Sequence, residues 1–227
     1  MTPRLPLLAL LLALPSPAFA GPPSFDCAAA KLPVEKAICR SPTLSALDVE
    51  IAEAYGRAMQ VLADGMRTTL RDAQRIFIAG RNDAFGFADE DLEARLADQI
   101  AFLKGIETRG RATVEGSWRN GLGGVEVTLR PDGRAEVYFA TAEPARARWL
   151  CDLQGEAAQS GSEWLVEGDP SLLEGWSVRF SVRDGQLVVA SAPTGAPGAQ
   201  SPPPFCGLNG TIDGAYLPVR AQPDYAQ

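Results

Sequence analysis

The chain has 227 residues, 21 basic against 28 acidic side chains, a net charge of −7 and no histidine. That balance disfavours nucleic acid, whose phosphates require a basic surface, and the missing imidazole removes Ser–His and Cys–His nucleophile pairs and histidine metal sites. Four cysteines, at 27, 39, 151 and 206, fit no compact zinc spacing. No catalytic constellation, cofactor motif or metal-ligand set is legible, so the sequence reads as a non-enzymatic protein.

Arg4, the apolar run Leu5–Leu14 and Ala18-Phe19-Ala20 have the order of a secretory signal, residues 1–20, cleaved after Ala20. The run is too short to stay in a bilayer. The expectation is a periplasmic or secreted protein with no stable membrane insertion. Removing Arg4 leaves 20 basic and 28 acidic groups, a balance of −8. Disulfides persist in such a compartment. Cys27 and Cys39 read as a local staple, and Cys151 with Cys206 as a second one in the later half.

Residues 21–110 read as a helical domain. A short turn around Val34–Cys39 comes first. Ser41 can cap the next segment, with Pro42 at its first position. Leu44, Leu47, Ile51, Tyr55, Ala58 and Leu62 then recur at three- and four-residue steps, an amphipathic helix that Gly65 is expected to stop. Thr68 or Thr69 opens a second helix, with Leu70, Ala73, Phe77 and Ala84 inward. Asp89-Glu90-Asp91 opens a third, where acidic groups suit the helix dipole. Three antiparallel helices are predicted.

Composition shifts to Gly, Val, Thr and Trp near Thr108–Val114, and residues 111–220 read as antiparallel β. Gly116-Ser117-Trp118 starts it. Val125–Leu129 and Ala135–Phe139 alternate about Pro131-Asp132-Gly133-Arg134, a hairpin signal. Arg148–Leu153, Glu163–Val166, Trp176–Val182 and Leu187–Val189 follow, with a turn at Arg183–Gln186 and a closing strand within Thr211–Leu217. Seven or eight strands make a small barrel or sandwich, and the fold class is α+β in two modules. The Gly-x-Trp opening gives the β half a vague lipocalin-like look. The disulfide would pin a middle strand to the last. Trp118, Trp149, Trp164 and Trp176 could line a pocket. Pro193–Pro204 reads as a loop and 221–227 as a disordered tail.

The run Phe25-Asp26-Cys27, Val34-Glu35-Lys36-Ala37-Ile38-Cys39, then Pro42, Leu44 and Leu47-Asp48, resembles the LprI-type lysozyme inhibitors. Arg71, Gln74, Arg75, Arg81 and Asn82 resemble the R-x-x-Q-R-x-W-x-x-x-R-N helix of that family, with Phe77 where Trp is usual. The resemblance covers about residues 24–106. It departs by lacking a second cysteine pair after Asn82, so Phe85 and Phe87 are expected to fill that gap. It implies a small helical inhibitor whose partner is a basic, host-type lysozyme. Arg71, Gln74, Arg75, Arg81 and Asn82 are then candidate partner-binding residues, since guanidinium groups hold carboxylates bidentately. The competing expectation places Arg75 and Gln74 in the architecture, with pairing to Asp72, Asp48 or Glu53 inside the helical domain, and leaves Arg71 for the partner. Three other functions remain open on sequence: a small-molecule carrier with a lipocalin-like cup, a carboxylate-based hydrolase of cell-wall glycans, for which the sequence names no carboxyl pair, and an envelope structural or stress protein that never meets lysozyme.

Overall fold

A computed structural model describes residues 21–167, 173, 175–195 and 202–220. The expected signal, the expected tail and part of the Pro193–Pro204 loop lie outside the described residues.

After a 3-10 turn at Cys27–Ala29 come α1 (Pro33–Arg40), α2 (Pro42–Val61), α3 (Asp64–Ala84) and α4 (Leu92–Gly105). These are four helices rather than three, because the expected turn at Val34–Cys39 is itself helical. The Glu35 carboxylate accepts the amides of Lys31 at 2.8 Å and Leu32 at 2.9 Å, satisfying donors a helix start leaves open. Those two bonds hold the Glu35 carboxyl below its usual range. Val34 and Ile38 are buried, and the Cys27–Cys39 disulfide ties the turn to α1. Ser41 caps α2 by accepting the Leu44 amide. The break between α2 and α3 comes earlier than periodicity suggested. Leu62 is buried in the helical core, and its carbonyl accepts from Arg67 at 2.6 Å. Asp64 then starts α3, so Gly65 lies in its first turn and neither threonine opens it. Asp91 caps α4 by accepting the Ala94 amide at 3.0 Å. Phe85 packs on the helical core, whereas Phe87 is exposed and lies under the Arg146 guanidinium, 4.0 Å away.

The second half is β1 (Gly116–Arg119), β2 (Gly123–Leu129), β3 (Ala135–Ala142), β4 (Leu150–Ser160), β5 (Glu163–Glu167), β6 (Trp176–Arg183), β7 (Gln186–Pro193) and β8 (Gly214–Val219). All neighbours are antiparallel, and β8 pairs back onto β1 to close a barrel. Closure removes the edges that a sandwich would leave. The alternating positions Val125, Val127, Val137, Phe139, Leu153, Val178 and Phe180 point inward with Trp118 and Tyr216. Phe180 stacks on Trp164 and meets Phe139 edge-on. Cys206 is not on the last strand: it sits in the β7–β8 connection, bridged to Cys151 of β4. That connection drops Phe205 and Ile212 into the barrel core.

The helices seat on the barrel wall. Leu217 and Val219, on the outward face of β8, complete the helical core. The chain past α4 runs alongside the same strand, with the Glu107 amide donating to Pro218 and the Arg220 amide to Gly105, each at 2.9 Å. α3 lies close enough to the barrel that two glycines are needed. A Cβ on Gly80 would stand 2.9 Å from Pro144, and one on Gly121 2.9 Å from the Ile76 Cβ. Gly80 is thus a spacer for helix-to-barrel packing.

Candidate functional site

The α3 helix carries the arginine-rich motif, and its surroundings sort that motif by direction. Thr69, Ile76 and Gly80 face the barrel, with the Thr69 hydroxyl on the Gln186 side chain. Met66, Leu70 and Ala73 face the other helices. The remaining stripe carries Arg71, Arg75 and Ile78, all exposed. The Arg75 side chain is 78% exposed and pairs with Asp72, one turn back on its own helix. Of the three expected acidic partners it takes Asp72, and it bridges to neither Asp48 nor Glu53, so the pair stays within its own helix and does not tie α3 to α2. Arg71 also stays local, its guanidinium reaching the Thr68 hydroxyl. Gln74 turns inward instead, and its side-chain oxygen accepts from Gln99 of α4 at 2.9 Å. The motif is therefore split: Gln74 ties two helices, and Arg71 and Arg75 look outward.

Arg81 is the member that belongs to the interior. It is 8% exposed, and its Nε and Nη2 donate to the Asn82 side-chain oxygen at 3.2 and 3.0 Å. Burial lowers its pKa, while the attraction of Asp48 on α2 and Glu35 on α1 works the other way. Asp48 is itself buried and accepts both the amide and the hydroxyl of Ser24, at 2.8 and 2.6 Å. A single buried cation thus lies between α1, α2, α3 and the N-terminal segment. Burying a charge is tolerable only with such compensation.

A second charged centre was not legible in the sequence. Arg95 of α4 donates to both oxygens of Glu90, at 2.6 and 2.8 Å, and to the Pro144 carbonyl at 2.8 Å. Glu90 reads from sequence as one of three helix-start acids, but it is the partner of Arg95. Next to Pro144, the Glu143 carboxylate accepts from the Arg148 side chain at 3.0 Å and from the amides of Arg146 and Ala145. Those bonds hold its pKa down to about 2, against an ordinary 4.5. A carboxyl depressed by folding adds stability above its unfolded value, and that stability is lost as pH falls through the folded one. Urea midpoints measured from pH 5 down to about 2 should therefore drop. The drop should be shallower in Glu143→Gln. Parallel curves for the two proteins would mean that the 143–148 loop does not report on folding.

The tryptophans do not share a pocket. Trp118 is wholly buried, with its indole N–H on the Val114 carbonyl at 2.8 Å and the Arg111 guanidinium 5.0 Å from its ring. Trp149, Trp164 and Trp176 pack against the barrel core from partly exposed positions. Trp118, Val125, Phe139, Phe180, Leu187 and Tyr216 are buried together in the barrel core. Among the same residues, no group of acidic, histidine and cysteine side chains could hold a metal, and no helix is long and apolar enough to cross a membrane. Two disulfides are compatible with an exported chain. Comparison with protein-family models, with curated proteins and with solved structures finds no match, so the LprI-type resemblance stands on the residues quoted for it.

Proposed function

We propose that this is an exported, non-enzymatic binding protein that inhibits a host-type lysozyme by occluding its cleft, with the outward stripe of α3 as the contact. The observation that carries this reading is the exposure of Arg71 and Arg75 beside Ile78, with no hydrogen bond or ion pair from either arginine to another element among the described residues. Exposed pairs within one helix are weak, so exchanging Asp72 for a partner's carboxylate costs little. A lysozyme cleft is built around two carboxylates, and a guanidinium can hold each of them bidentately. The acidic balance of the chain draws it toward a basic partner over long range.

The assay is cell-wall lysis by a c-type lysozyme with added protein. Unchanged lysis at micromolar protein and low salt rejects the reading. Arg75→Ala should leave unfolding stability within about 0.5 kcal/mol, as for an ordinary surface change. In the same variant, partner binding should weaken by about 2 kcal/mol, with a marked salt dependence. A stability loss without a binding loss would return Arg75 to the architecture.

A further inference from the structure

The outer wall of the barrel over β1 to β4 carries a trough of about 410 Å³, and the strand register explains its shape. One row across the four strands reads Arg119, Gly124, Ala140, Asp152. Its inward neighbours, Trp118, Val125, Phe139 and Cys151, are buried in the core, so this row faces outward. Outward positions on a barrel commonly hold long polar side chains. Here the middle two have a hydrogen and a methyl, which sinks the floor between a guanidinium and a carboxylate.

The two long sides differ in chemistry. On one, the Ser117 hydroxyl donates to Glu126 at 2.6 Å, and the Tyr138 hydroxyl donates to Asp152 at 2.7 Å. On the other stand Leu122 and Leu150, the latter 59% exposed. Arg220 joins Arg119 in the lining. The Arg119 guanidinium lies 5.8 Å from the Phe102 ring of α4 and the Arg220 guanidinium donates to the Lys104 carbonyl, so α4 holds two positive charges at that end. The trough is thus cationic at one end, anionic at the other, polar along one side and apolar along the opposite side.

We infer that this trough binds a short peptide with free termini, lying across the strands. The terminal carboxylate meets the Arg119 and Arg220 end, and the terminal ammonium meets Asp152. One aliphatic side chain lies on Leu122 and Leu150, and a backbone amide faces Glu126. The length agrees. Three strand spacings separate Arg119 from Asp152, about 14 Å. An extended tripeptide covers about 10 Å, which leaves space for one charged hydrogen bond at each end. A fatty acid would satisfy only one end, and an apolar molecule neither.

The probe is the tripeptide Ala-Leu-Ala with free termini, titrated into the purified protein and followed by calorimetry and by amide shifts in an NMR spectrum. No lysozyme is present, so the outcome is independent of the α3 reading. Binding is expected with Kd of about 1 mM or tighter. Acetylating the N-terminus or amidating the C-terminus should each weaken it about tenfold. Ala140→Leu, which fills the floor, should abolish it with the circular dichroism of the barrel retained. Asp152→Asn lies at the exposed rim, so its fold does not depend on that charge. It should weaken the free peptide and leave the acetylated one unchanged. No binding at about 5 mM, equal binding of the doubly blocked peptide, or full binding by a folded Ala140→Leu protein overturns the proposal.

Discussion

Arg81→Ala should cost about 3 kcal/mol of unfolding stability, because it empties a buried site and removes the attraction of a nearby, not directly paired, cation for a buried carboxylate. The cause is the group left behind. Asp48 is buried and keeps its two bonds from Ser24, but it loses the positive charge that offsets its own. The Asn82 side chain loses both of its guanidinium donors at the same time. Arg81→Met keeps most of the volume and should cost nearly as much, which separates the charge from the packing. Adding Asp48→Asn to Arg81→Met removes the stranded carboxylate. The double variant should then be more stable than the sum of the two singles, with a coupling of about 1 kcal/mol or more. Urea unfolding of the four proteins checks this. Simple additivity would mean that Arg81 acts through packing alone. The result also bears on function, because Arg81 falls within the family-like motif and yet is too buried to touch a partner.

Replacing Cys151 and Cys206 with alanine should cost about 4 kcal/mol, against about 3 kcal/mol for the Cys27–Cys39 pair, because the loop closed is longer. The separations are 55 and 12 residues. The longer staple also has a packing role. It holds the β7–β8 connection on β4, and that connection supplies Phe205 and Ile212 to the barrel core. All four tryptophans lie in the β half, so their fluorescence reports barrel unfolding directly. Fluorescence-detected urea curves should shift strongly for the Cys151/Cys206 variant and weakly for the Cys27/Cys39 variant. A loss below about 1 kcal/mol for the former would mean that Phe205 and Ile212 hold the connection unaided.

The sequence by itself determined those features in which a local pattern meets only one physical demand. Ser41-Pro42 marks a helix start because capping needs only the next three residues, and Asp91 does the same for α4. Alternation in Val125–Leu129 and Ala135–Phe139 fixes two strands, since a one-residue slip would turn the core outward. The pairing of cysteines within each half also followed from chain position. Barrel closure did not, because β8 meets β1 across a separation no local pattern encodes. The α2–α3 break was misplaced because burial of Leu62 overrode the glycine signal. The arginine motif shows the limit most sharply. The motif groups Arg71, Gln74, Arg75, Arg81 and Asn82 as one candidate set. Only the packing of α3 between helical core and barrel decided that Arg75 meets water, Gln74 meets Gln99 and Arg81 is buried near Asp48. The outer trough is the extreme case. A glycine and an alanine carry no signal in sequence, and they become a floor only when the register sets them between Arg119 and Asp152.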